Sequence, residues 1–237
     1  MSVDFNHFES PARDGNASVA LRFSSGLSVA GLSAKRKTRR GPAASSIKRL
    51  TDVLVASLAL VALLPLLLVI GLMIRLETSG PALFRQHRGG LGGRTFTIYK
   101  FRTMRVEADA SVSHATRQDP RVTALGAFLR RTSIDELPQL LNVLKGDMSL
   151  VGPRPHALAH DQYYSEQLPG YAARMRAKPG LTGLAQVSGH RGEIRELDCM
   201  ARRVAHDVAY IEDWSLLLDV KLLALTVART PFDHRAY

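Results

Sequence analysis

Cysteine is almost absent from the chain: Cys199 is the only one in 237 residues. That excludes an internal disulfide framework and a cysteine-built zinc site, and it removes any need for an oxidising compartment. Acid is also in short supply. Lys and Arg number 32 against 21 Asp and Glu, a formal net charge of +11, so polyanions, anionic lipid or phosphorylated substrates are the fitting partner classes. Composition does not choose among them. Residues 1–46 are poor in large apolar side chains and rich in Ser, Ala, Gly and Arg, without any sustained period, and they read as a largely disordered basic tail. The rest of the chain, with 46% hydrophobic residues overall, can bury a core.

One stretch lacks charge altogether. From Val53 to Ile74 no ionisable residue occurs, and a helix over that run, at ~1.5 Å per residue, is roughly 33 Å long, enough to cross a bilayer. It starts too far from the N-terminus for a signal peptide and has no small-residue cleavage site after it, so it stays attached. Both flanks are basic. Lys35, Arg36, Lys37, Arg39, Arg40, Lys48 and Arg49 precede it, and Arg75, Arg85, Arg88, Arg94, Lys100, Arg102 and Arg105 follow. A straight span would put one of these groups on the wrong side of the membrane. Pro65, near the middle, removes a backbone donor and favours a kink. Residues 47–80 are therefore expected to form a re-entrant membrane segment broken at Pro65, with a plain spanning helix as the alternative.

In the polar part, Phe84, Phe96, Ile98, Tyr99 and Phe101 are strand residues, and Gly89, Gly90, Gly92 and Gly93 interrupt them. The pattern predicts a β-hairpin with a glycine turn; the Lys-Ser/Thr ending of a phosphate loop is missing. Further on, Arg130-Arg131-Thr132-Ser133-Ile134-Asp135-Glu136 leads into an apolar helical pattern. Ser133 and Glu136 have capping-box spacing, while Asp135 has no capping role. Two acids beside two arginines at a helix start could hold phosphate, bind magnesium or attack phosphorus. Pro153-Arg154-Pro155 presents an arginine on a stiffened backbone. His156 and His160 lack an HExxH pattern and read as ordinary surface histidines. Lys178 to Arg191 reads as a glycine-punctuated loop, and Tyr210 to Thr226 as either a core helix or an interfacial one.

Together these segments resemble the bacterial sugar transferase family, the monotopic polyprenyl-phosphate phosphoglycosyl transferases that prime exopolysaccharide synthesis. The resemblance runs from about Lys48 to Thr226. It rests on Lys48-Arg49, the Phe84 to Phe96 series, Lys100-Phe101-Arg102-Thr103-Met104, Ser133 to Asn142, Lys145 to Ser149, Gly152 to Pro155, Pro179 to Gly189, and the Tyr210, Trp214, Ser215 and Asp219 series. The chain departs from the family in having Leu64-Pro65 where Ser-Pro is common, and His190 where Arg is common.

The resemblance implies an α+β, mainly helical fold. A re-entrant membrane helix hairpin, a small β-hairpin and amphipathic interfacial helices would surround a cytosolic active site within residues 81–237. It implies transfer of a sugar-1-phosphate from a UDP-sugar to undecaprenyl phosphate, with release of UMP, at the bacterial inner membrane. Asp135 would be the nucleophile and Glu136 its Mg2+-associated partner. Arg130, Arg154, Lys100, Arg102, Gln139 and Arg191 would bind phosphate or substrate. The implied partners are the UDP-sugar, undecaprenyl phosphate and the cytoplasmic leaflet; a homodimer is compatible with them, and nucleic acid has no part. A membrane-anchored protein that binds nucleic acid or anionic lipid is the competing class, but it leaves the Asp135-Glu136 pair and the Pro-Arg-Pro turn without a purpose.

Overall fold

The computed structural model describes residues 41–105, 119–190 and 196–229. The tail expected over 1–46 lies outside these except for its end, where a short turn at Pro42–Ala44 leads to Ser45. Ser45 caps the first helix, its side chain accepting from the Lys48 amide at 3.2 Å. That helix, α1, runs from Ser46 to Glu77 with Pro65 inside it. The proline therefore does not divide the segment into two helices. It removes one donor and displaces one carbonyl, which a helix absorbs by bending rather than unwinding. Most of the side chains between Leu58 and Val69 are exposed apolar groups among the described residues, while Ala59, Leu60 and Leu67 pack partly against the core.

Both ends of α1 are bound to the polar part. Near its start, Lys48 pairs with Asp219 at 2.7 Å, Arg49 donates to the Val143 and Leu144 carbonyls, and Asp52 accepts from the Leu150 amide. Near its end, Ile70 and Ile74 pack with Phe101 and Leu129, and Glu77 accepts from the Leu125 amide.

The expected hairpin is present. Strand β1 (Leu83–Gly89) pairs antiparallel with β2 (Thr95–Phe101), from Leu83 opposite Phe101 to Gly89 opposite Thr95, around a turn at Leu91–Gly93. Helix α2 (Ala124–Thr132) follows, then a 3-10 turn at Ile134–Gln139 and helix α3 (Leu140–Lys145). Asn142, fully buried, accepts from the Tyr99 amide and donates to the Thr97 carbonyl, which locks α3 to the free edge of β2.

The segment read as a loop over 178–191 is not one throughout. Strand β3 (Ser149–Val151) pairs in parallel with β4 (Gly180–Thr182). The backbones come so close that a Cβ on Gly180 would stand 2.1 Å from the Gly152 nitrogen. The glycines serve this approach. Helix α4 (Leu158–Gln167) lies between these strands in sequence, and α5 (Leu184–Val187), α6 (Leu197–Glu212) and α7 (Leu216–Arg229) follow. The main core joins Ala56 of α1 to Ile98, Val143, Met148, Tyr210 and Leu222. Helix α7 buries Leu222 in the core and exposes Leu217, Val220 and Val227.

Candidate active site

The acid pair lies in the 3-10 turn after α2. Ser133 adopts the left-handed conformation, with φ 59° and ψ 15°, and closes α2 by donating its amide to the Arg130 carbonyl at 3.1 Å. Among the described residues it is the one non-glycine residue with positive φ, a strained placement directly before the acids. The capping box predicted from Ser133 and Glu136 does not form. In the left-handed conformation the serine hydroxyl makes no cap hydrogen bond, and the Glu136 side chain is engaged elsewhere.

Glu136 is buried and held by two cations. Lys100 Nζ reaches its Oε1 at 2.8 Å, and Arg154 binds it in a fork, Nη2 to Oε1 at 2.7 Å and Nη1 to Oε2 at 3.1 Å. The fork is the stronger geometry, because guanidinium and carboxylate planes match. Asp135, only 9% exposed, has no such ring. Its pKa is pushed up to about 6, first by burial and next by the charge of Glu136, while Lys100, Arg154 and Arg130 pull it back. At neutral pH it is a poorly solvated carboxylate facing cations, a state suited to a nucleophile.

The other predicted residues divide. Lys100, Arg130 and Arg154 gather around the pair; Arg130 donates to Thr103 Oγ1 at 2.9 Å and faces Asp135. Gln139 is 1% exposed, and its Nε2 has no hydrogen-bond partner among the described residues. A buried orphan donor near the acids is unfavourable unless something else satisfies it. Arg102 does not join the acids. Its guanidinium donates to the Thr78 carbonyl at 2.8 Å and to the Ser79 carbonyl, and it lies 3.4 Å from the Ile74 carbonyl. A cation there meets the carbonyls that follow α1 and the negative dipole end of the helix. Arg191 lies outside the described residues.

Two groups went unassigned in the sequence. Arg88 on β1 is half-buried. Burial and the neighbouring Arg154 lower its pKa to about 10, and Glu136 and Asp161 act on it in the opposite sense. It remains a cation at neutral pH. The alternation Gln86, Arg88, on one face of β1, was its sequence signal. His156, read as a surface residue, is buried: its Nδ1 lies 2.7 Å from the Tyr171 hydroxyl and 2.9 Å from Arg174. Partners from a distant segment make that burial tolerable, and local sequence carries no trace of them.

Four cations thus surround two adjacent buried acids. Residues 43–232 match the bacterial sugar transferase family. The chain belongs to that family. It is 56% identical over 191 residues to the UDP-glucose:undecaprenyl-phosphate glucose-1-phosphate transferase of Caulobacter vibrioides, covering 80% of this chain and 72% of that protein. It is 48% identical over 192 residues to the protein of the same name from Escherichia coli, covering 81% of this chain and 41% of the relative. A third relative, the exopolysaccharide production protein PSS of Rhizobium leguminosarum, is 44% identical over 186 residues, with 76% and 93% covered. The chain therefore spans about two fifths of the longer Escherichia coli relative. Asp135, Glu136 and their cations all lie inside the segment that matches the family.

Proposed function

We propose that this sugar transferase moves a sugar-1-phosphate from a UDP-sugar to undecaprenyl phosphate and releases UMP, as the first membrane step of exopolysaccharide or related glycan synthesis. Asp135 carries the reading, as a buried carboxylate beside Glu136, with the charges of Lys100, Arg154 and Arg130 acting on it and its pKa raised. In the first displacement an Asp135 oxygen bonds to the sugar-bearing phosphorus, and the bond from that phosphorus to the bridging oxygen breaks. The electron pair leaves with UMP. In the second, an oxygen of undecaprenyl phosphate bonds to the same phosphorus, and the Asp135 oxygen departs with its electrons, restoring the carboxylate. Arg154, Lys100, Arg130 and Arg88 offset the charge that accumulates on the phosphoryl oxygens.

Among the described residues no group of three or more acidic, His or Cys ligands forms a metal cage. Mg2+ does not need one, because it is commonly held by one or two carboxylates together with substrate phosphates. The donor set fits that mode: burial first and then repulsion from Glu136 raise the Asp135 pKa, and a bound cation would relieve the repulsion. Glu136 would hold the ion beside Asp135, and the ion would supply charge neutralisation on the diphosphate.

The docking of both α1 ends on one polar domain supports the re-entrant arrangement, with both ends at the cytosolic face of the inner membrane. A straight helix of this length, roughly 48 Å, would carry one end across the bilayer, away from its partners. The exposed apolar groups of α1 and α7 fit burial in lipid. Single cysteines at Ser46 and Ser79, in a chain with Cys199 replaced, test this: labelling of just one of them by an impermeant periplasmic reagent would refute the arrangement. The names of the relatives favour glucose as the sugar, with galactose the next candidate. UMP release from a small panel of UDP-sugars, with undecaprenyl phosphate and Mg2+, tests the reaction. Release with UDP-glucose is expected, and no release with any sugar would reject it.

A further inference from the structure

A second polar assembly lies behind Arg154, and the displacements above make no use of it. Arg174, in the 3-10 turn Tyr171–Arg176, is buried. Its Nε donates to Asp207 Oδ2 of α6 at 2.9 Å, and its Nη1 reaches the Tyr171 hydroxyl at 3.3 Å. Its Nη2 donates to the main-chain carbonyl of Arg154. Tyr171 in turn donates to Asp161 Oδ1 at 2.6 Å. Asp161 packs against the end of β1 so closely that a Cβ on Gly89 would stand 2.2 Å from its Oδ2. The two places this assembly touches, the Arg154 carbonyl and the backbone beside Arg88, carry two of the four active-site cations.

Burying this much charge is costly, and an apolar replacement would hold the fold as well or better. Bulk stability is thus a weak reason for the assembly. Directional hold is a stronger one, because each guanidinium donor has a fixed direction. The Pro153 and Pro155 rings stiffen the chain around Arg154, yet they leave the turn free to move as a unit. Arg174 removes that freedom by fixing one carbonyl.

We propose that Arg174, clamped by Asp207, is a positioning residue that sets the Arg154 main chain so that the Arg154 guanidinium meets Glu136 and the transferred phosphate. The inference rests on the transferase reading above. It requires that Asp207 act on turnover only through Arg154, and a double-mutant cycle measures this. In the full-length purified protein, with UDP-glucose, undecaprenyl phosphate and Mg2+, Asp207→Asn is expected to lower kcat/KM about 10–100-fold, in the range of lost orienting contacts. In an Arg154→Ala background the same substitution is expected to change it less than about twofold. A purely structural role would instead give equal factors in both backgrounds and overturn the inference, as would wild-type turnover by Asp207→Asn. If Asp207→Asn fails to fold, Tyr171→Phe, which removes one hydroxyl, is run through the same cycle and read the same way. A wild-type protein that releases no UMP from any donor defeats the transferase reading, and this inference with it. An active wild type with full additivity defeats this inference alone.

Discussion

Two buried carboxylate sites in this protein have opposite designs. Asp219, at the start of α7, is closed: its Oδ1 accepts from the Tyr210 hydroxyl at 2.8 Å, and its Oδ2 accepts from Lys48 at 2.7 Å and from Trp214 Nε1 at 3.1 Å. One cation balances one acid, and neutral donors complete the shell. The Asp135–Glu136 site is open. Four cations meet two acids: Glu136 is bound by Lys100 and Arg154, while Asp135 lies buried beside it with the charges of Lys100, Arg154 and Arg130 acting on it. The first pattern ties α1 to α7 and the polar part; the second leaves electrostatic capacity for a ligand. The difference lies in which donors remain to be used, and burial alone would not separate the two.

The largest test of that contrast is a pair of isosteric substitutions. Asp135→Asn should lower turnover by at least about 10³-fold, while raising the melting temperature by a few degrees, because it removes a poorly solvated charge. Asp219→Asn should do the reverse. It leaves Lys48 buried without its counter-charge, at a cost of about 3–5 kcal/mol, yet the molecules that remain folded should turn over near the wild-type rate. Thermal melts and UMP release on the same preparations decide both. Loss of stability in Asp135→Asn would remove the distinction.

A smaller effect separates neighbours on β2. Lys100→Ala strips one of the two cations from Glu136 and should lower turnover about 10–100-fold. Arg102→Ala removes the cap on the α1 carbonyls and should cost about 1–3 kcal/mol of stability, with little change in turnover per folded molecule. Limited proteolysis near Thr78, alongside kinetics, distinguishes them.

The open site should also show in the pH dependence of stability. The folded pKa of Asp135, about 6, lies above the ordinary carboxyl value of 3.8, so the native state binds the proton more tightly than the unfolded state. The penalty from its charge is absent below about pH 4 and fully present above about pH 6. Wild type should therefore lose stability relative to Asp135→Asn as pH rises through that window. Parallel pH profiles for the two proteins would contradict the assignment of a strained charge to Asp135. Smallest of all, Ser133→Gly should change stability by no more than about 1 kcal/mol, since glycine accepts the left-handed conformation but gains chain entropy when unfolded.

Much of the fold could be read from local pattern: the uncharged run of α1, the glycine-turned hairpin and the adjacent acids each depend on residues near in sequence. Arg102 could not be read in the same way. It sits two positions from Lys100 in one family motif, yet one points to Glu136 and the other to the end of α1, and only the path of the membrane helix decides that. Ser133 and Glu136 had the spacing of a capping box, but the chain turns left-handed at Ser133 and closes the preceding helix instead. His156 and Gly180 were misread for a related reason. Each is defined by a segment about 15 to 30 residues away, Tyr171 and Arg174 in one case and Gly152 in the other, and neither leaves a periodic mark in the sequence.

The central claim is that Asp135 carries the phosphosugar between two displacements. Incubating the full-length protein with UDP-glucose labelled in the sugar, together with Mg2+ and no polyprenyl acceptor, measures it most directly. The account predicts about one equivalent of UMP per active site at most, label bound covalently to the protein on the peptide that contains Asp135, and discharge of that label when undecaprenyl phosphate is added. Strictly sequential kinetics with no trapped label, or label on another residue, would contradict it.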